Sequence, residues 1–337
     1  MTKILIIAPS WVGDSVMAQP LFMRLKQHFP DVLIDVYAPP WVAPVLARMP
    51  EVNAVIPNPF GHGELRLLDR LRAARKLRRQ GYDQAIVLPN SLKSALIPWL
   101  AGIPRRTGFV GEMRYGLLND ARELDAQAYP LMVERFALLA ESAPQARHYL
   151  LPKPKLSADD ARQRTTLAQL GLTLEQPVVA CCVGAEYGPA KRWPEAHFAA
   201  LANTLHLRGF QVWLIGSVKD QAIGEAIQRA SAGAARNLCG ATSLDQAIDL
   251  LACARAVVSN DSGLMHIAAA LGKPLVALYG SSSPDFTPPL SDRARILNLH
   301  LPCSPCFKRE CPLGHFDCMM TLAPPRVLDA LAELNLF

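Results

Sequence analysis

A chain of 337 residues, half of them hydrophobic and 19% charged, is too long for one ordinary compact domain and too apolar for a disordered one, so two domains of roughly 150 residues each are expected. The formal charge of +6 favours anionic partners, whether phosphates, lipid headgroups or nucleic acid. Aromatic residues are only 7% of the chain and none interleaves with its main basic run, so the stacking platforms of single-strand binders are missing and no nucleic-acid partner is expected.

Residues 3–8 read as a first core strand and not as a targeting signal, because the apolar run is short and Pro9, Gly13 and Asp14 soon interrupt it. No apolar stretch approaches the roughly 20 residues that span a bilayer, so a cytoplasmic chain with at most peripheral membrane contact is expected. Residues 33–37, 54–57 and 84–88 read as further strands with helices between them. From Glu64 to Arg79 the cations Arg66, Arg70, Arg72, Arg75, Lys76, Arg78 and Arg79 accompany Leu67, Leu68, Leu71, Ala74 and Leu77 at helical spacing. That pattern is an amphipathic basic helix: either a solvated face above a core stripe, or a docking face for an anionic surface. Pro152, Lys153, Pro154 and Lys155 then lack any periodicity, and the linker placed there divides the chain into 1–156 and 157–337. Strands resume at 178–183, 211–215, 256–259 and 275–279. The alternation predicts an α/β chain of two doubly wound, Rossmann-like halves, whose ligands bind beyond the carboxyl ends of the strands.

Three strand-end loops carry the chemistry. In Pro9-Ser10-Trp11-Val12-Gly13-Asp14-Ser15, Gly13 permits a tight turn. Asp14 at the helix start is either a capping carboxylate or a general base for an acceptor hydroxyl. The loop holds one glycine and does not match G-x-G-x-x-G, which disfavours a dinucleotide fold. The second loop, from Gly184 to Glu195, places Lys191 and Arg192 before a helix; the pair either faces solvent or binds a diphosphate. In the third, Ser259-Asn260-Asp261-Ser262-Gly263-Leu264-Met265-His266, small polar residues open a helix whose free N–H groups suit an anion, and His266 either adds a donor or packs. Gly280-Ser281-Ser282-Ser283 could close the same pocket.

Taken together, Val12-Gly13-Asp14-Ser15-Val16 with Pro20, Lys191-Arg192-Trp193-Pro194, and Asn260-Asp261-Ser262-Gly263 with His266 resemble the lipopolysaccharide heptosyltransferases over nearly the whole chain. Within that family, Ala8-Pro9-Ser10-Trp11-Val12-Gly13-Asp14 and Cys303-Ser304-Pro305-Cys306 are similar to the members that add the second heptose and not the first. The resemblance implies a GT-B fold, with acceptor bound by 1–156, donor bound by 157–337 and chemistry in the cleft between them. It implies inverting transfer of L-glycero-D-manno-heptose from ADP-heptose to the first heptose of heptosyl-Kdo2-lipid A, at the cytoplasmic face of the inner membrane. No cofactor is required on this reading. Asp14 matches the base, Lys191 the diphosphate ligand, and Asp261, Ser262, Gly263 and His266 the donor loop. Thr242 and Leu244 match the nucleotide side, with Gly184 beside them and Asp220 a candidate ribose acceptor. Gly13, Arg70, Arg78 and Arg105 are acceptor-side candidates. The roles agree with physics, since negative charge grows on departing ADP and cations and helix N–H groups belong there. No D-x-D motif occurs, which disfavours a metal-dependent GT-A enzyme.

Eight cysteines in a reducing compartment should be mostly thiols. Cys303, Cys306, Cys311 and Cys318 offer four ligands for tetrahedral zinc, or form a thiol-rich loop that packs under or lines the cleft. Cys181, Cys182, Cys239 and Cys253 lie in or beside apolar runs and read as core. The rival classes are a non-catalytic nucleotide-sugar binding protein, which as a periplasmic binder would need an export signal, a dehydrogenase, which would need the glycine fingerprint, and another GT-B transferase.

Overall fold

The computed structural model describes residues 2–61, 66–141 and 151–337. Within them the chain forms two compact units, Met1–Pro154 and Lys155–Phe337. The first carries strands β1 (Lys3–Ile7), β2 (Leu33–Ala38), β3 (Ala54–Pro57), β4 (Gln84–Val87), β5 (Arg105–Phe109) and β6 (Asp120–Arg122). The second carries β7 (Val178–Cys182), β8 (Gln211–Ile215), β9 (Ala235–Asn237), β10 (Ala256–Asn260), β11 (Leu275–Tyr279) and β12 (Ala294–Asn298).

Both sheets are parallel and share one topology. The orders are β3-β2-β1-β4-β5-β6 and β12-β11-β10-β7-β8-β9, so in each unit the strand order reverses beside its first strand, between β1 and β4 and between β7 and β10. Helices cover both faces, which is why the central strands are continuous apolar runs: β7, Val-Val-Ala-Cys-Cys, and β10, Ala-Val-Val-Ser-Asn, are buried at every position. Four strands have no counterpart among the sequence expectations: β5, β6, β9 and β12. They lie at or next to the sheet edges, where half-solvated positions allow Arg-Arg-Thr-Gly-Phe, Asp-Ala-Arg and Ala-Arg-Asn, and such short polar segments carry no periodic signal.

The basic helix is Leu67–Arg78, and its inward face differs from the expected stripe. Arg70, Ala74 and Leu77 are buried, whereas Leu67 and Leu68 are 51% and 71% exposed. Arg70 takes the inner position because its guanidinium lies 4.3 Å from the Phe60 ring centroid and its Nη1 donates to Lys93 O at 3.3 Å. Residues 62–65, including Glu64 at the start of the expected run, lie outside the described residues. The units part at Pro154 and Lys155, two residues before the expected boundary, since Leu156 is buried and its N–H donates to Ala270 O at 3.0 Å in the second unit. The last helix, Pro324–Glu333, inserts Val327, Ala330 and Leu331 into the core of its own unit beside Phe198 and Leu201. Among the described residues no helix is long and apolar enough to cross a membrane.

Candidate active site

In the second unit the candidate residues stand at the switch point between β7 and β10. Asn260, fully buried at the end of β10, braces both strand ends: its Nδ2 donates to Val183 O at 2.8 Å and its Oδ1 accepts from Trp193 N at 3.0 Å. Trp193 is locked in turn by Nε1–H donation to Leu322 O at 2.7 Å. The loop after β7 is thereby pinned to the loop after β10, and Lys191, on the turn Pro189–Lys191, reaches Asp261 Oδ2 at 2.5 Å. Ser262 caps the helix Gly263–Ala270, accepting from Met265 N at 3.4 Å, which leaves the first N–H groups of the helix aimed at the strand ends. A lysine beside such a helix terminus offers the donors an anion would use, with Asp261 as its partner in this structure. Sequence reading assigns Asn260 no part of its own. Its signal is a bare amide ending an apolar strand, which a buried position tolerates only when every polar atom is bonded.

Ser281 and Ser282, after β11, are buried with hydroxyls that meet no hydrogen-bond partner among the described residues. An unbonded buried hydroxyl costs about 1–3 kcal/mol, so this turn favours a ligand group able to bond it.

Gly184 and Asp220 meet directly. Asp220 is buried, and its Oδ2 accepts from Ser217 N at 2.9 Å and Ser217 Oγ at 2.8 Å. A Cβ on Gly184 would lie 2.4 Å from that same oxygen. Since Asp220 is held by two bonds, Gly184→Ala must displace the turn Val218–Asp220. The expected cost is about 1–3 kcal/mol, read by urea melts, with weaker ADP binding by calorimetry. Thr242 and Leu244 are half-buried where the turn after β9 enters the helix Leu244–Cys253, which Ser243 caps.

His266 is 5% exposed, and burial pushes its imidazole down to about 4, against the opposing pull of Asp261. It is neutral at physiological pH. Between about pH 4 and 6.5 the unfolded chain binds this proton and the folded chain does not, so stability falls as pH drops through that window, by at most roughly 3 kcal/mol. Comparing unfolding free energies of wild type and His266→Gln from pH 7.5 down to 4.5 checks this: the wild-type curve should fall more steeply.

Residues 303–309 are bonded to the loops that follow β7 and β11. Tyr187 Oη donates to Phe307 O at 2.8 Å, Ala190 N donates to Arg309 O at 3.0 Å, and Phe307 N donates to Ser281 O at 2.7 Å. Cys303, Cys306, Cys311 and Cys318 line one small pocket here with Ala190, Ser281 and His315. Among the described residues no three His, Cys, Asp or Glu side chains are placed to hold a metal ion, and all eight cysteines are free thiols. Cys181, Cys182 and Cys239 are buried core, Cys253 half-buried, and burial raises the thiols of Cys181 and Cys239 to about 12.

In the first unit the loop after β1 leads into the helix Val12–Met17. Trp11 occupies its N-cap without a side-chain bond, and half-buried Asp14 sits in the first turn beside Gly13. Arg70 is tucked over Phe60, Arg78 donates to Ala101 O at 3.1 Å and Leu100 O at 2.9 Å, and Arg105 pairs with Asp120 at 2.9 Å at the amino end of β5.

The sequence profile of glycosyltransferase family 9 (heptosyltransferase) matches residues 70–317. The chain is 50% identical to lipopolysaccharide heptosyltransferase 2 of Escherichia coli K12, covering 99% of each chain. It is 48% identical to lipooligosaccharide heptosyltransferase 2 of Haemophilus influenzae, over 98% of this chain and 99% of that one. Among solved structures, E. coli ADP-heptose LPS heptosyltransferase II superposes with a TM-score of 0.89 at 47% identity, covering 99% of this chain and 98% of the other. With two doubly wound sheets of the GT-B type, this chain belongs to glycosyltransferase family 9, the heptosyltransferases.

Proposed function

We propose that this enzyme transfers L-glycero-D-manno-heptose from ADP-heptose to the first heptose of heptosyl-Kdo2-lipid A, with inversion. Lys191, Asp261 and the Ser262-capped helix terminus carry the reading, because they join a cation to outward N–H groups at the switch point of one sheet. Residues 157–337 bind the donor and residues 1–156 the acceptor. Asp14 takes the proton of the acceptor hydroxyl as its oxygen attacks the anomeric carbon. The bond from that carbon to the diphosphate oxygen breaks on the opposite face, and ADP leaves with the bonding pair. Lys191 and the N–H groups of the Gly263 helix meet the growing charge, and His266, neutral, offers a hydrogen bond and no charge. In this scheme no metal ion takes part.

The acceptor sits in a membrane, and the helix Leu67–Arg78 suits a peripheral contact with the cytoplasmic face of the inner membrane. Exposed Leu67 and Leu68 adjoin exposed Arg72, Arg75 and Lys76, the mixture that anionic interfaces attract. Offering ADP-heptose with either Kdo2-lipid A or heptosyl-Kdo2-lipid A tests the acceptor assignment. The proposal expects product from the second alone, and preferential use of the first overturns it.

A further inference from the structure

Lys191 alone leaves the donor site without net positive charge. Its ammonium lies 2.5 Å from Asp261 Oδ2, and with side chains 17% and 5% exposed the two charges largely cancel. A second cation reaches the same tyrosine ring. Lys191 Nζ lies 5.2 Å from the centroid of the Tyr187 ring, and the guanidinium carbon of Arg309 lies 5.4 Å from the same centroid. Two cations drawn to one ring concentrate positive charge around it, and an anion that reaches the rim of that ring is met by both.

The register of Arg309 is set by main chain as well as by a flexible stem. Arg309 O accepts from Ala190 N at 3.0 Å. Gly188 approaches so closely that a Cβ there would lie 2.4 Å from Arg309 O. Tyr187 is fixed by its own bond to Phe307 O at 2.8 Å. Phe307 N, bonded to Ser281 O at 2.7 Å, brings the same segment to the turn with the two unbonded serine hydroxyls. Arg309 is exposed and has no acidic partner among the described residues.

We propose that Arg309 is a second cation of the donor site, receiving the terminal phosphate of a nucleoside diphosphate beside Lys191, with the Tyr187 ring holding both cations in register. The inference rests on Lys191 serving the diphosphate. The planar guanidinium fork can bond two phosphate oxygens at once, which an ammonium cannot.

Calorimetric titration of ADP, AMP and adenosine into wild type, Arg309→Ala, Arg309→Lys and Lys191→Ala tests it. Arg309→Ala should weaken ADP by about tenfold or more, weaken AMP less, and leave adenosine within about twofold of wild type, with Arg309→Lys recovering part of the loss. ADP binding unchanged in Arg309→Ala overturns the proposal, as does an equal loss for all three ligands. If Lys191→Ala weakens ADP while Arg309→Ala does not, the donor assignment stands and Arg309 leaves it. If wild type itself does not bind ADP, the donor assignment fails first.

Discussion

Asp14→Asn is expected to lower kcat by about 10²- to 10⁴-fold, the usual contribution of a positioned general base, while ADP affinity stays at the wild-type value. The amide keeps the size of the carboxylate but loses its charge and its ability to take the proton. Donor binding is spared because Asp14 belongs to Met1–Pro154, whereas Lys191, Asp261 and the Gly263 helix belong to Lys155–Phe337. Trp11, and not Asp14, holds the N-cap, so loss of the acidic charge in the first turn removes a dipole contribution of about 0.3–1 kcal/mol. Single-turnover transfer together with calorimetry and urea melts separates these effects. A variant that keeps full kcat removes Asp14 from the chemistry, and one that loses ADP binding makes its effect structural.

Lys191→Ala should act on stability and catalysis together. It leaves the Asp261 carboxylate, 5% exposed, without its partner, and breaking a buried ion pair from one side costs about 3–5 kcal/mol. On the proposed mechanism it also removes a cation from the growing charge of the leaving group, worth about 10²- to 10³-fold in kcat by analogy with loss of one oxyanion donor. The two consequences separate in the double variant Lys191→Ala/Asp261→Asn, which should regain much of the stability and none of the turnover. Recovery of turnover in the double variant would mean that Lys191 serves the fold and not the leaving group.

The sequence made the buried centre of each sheet legible and left the rim unread. Runs such as Val178 to Cys182 are apolar at every residue because helices cover both faces, and a short β-rich run of that kind suits few places but a buried strand. Arg105 to Phe109 and Ala235 to Asn237 form strands because a neighbouring strand offers them a ladder, which no local pattern records. The same division runs through the candidate site. Lys191, Asp261 and Ser262 could be picked out as candidates because they lie in loops that leave strand ends, where doubly wound folds bind their ligands. The bond from Asn260 to Val183, the contact of Gly184 with Asp220, and the two cations on Tyr187 join segments far apart in the chain, so only tertiary packing reveals them. Arg70 departs from expectation for a related reason. Its charge marks an outer face by composition, yet the Phe60 ring and the Lys93 carbonyl give it an inner one.

In the proposed reaction one molecule of ADP is released for each heptose joined to heptosyl-Kdo2-lipid A. Following ADP release and the mass of the lipid product in one reaction, with and without acceptor, tests it most directly. The acceptor should gain a single heptose in step with ADP, and ADP release should be negligible without acceptor. Tight ADP-heptose binding with no change in acceptor mass would contradict it, leaving a nucleotide-sugar site without the transfer assigned to it.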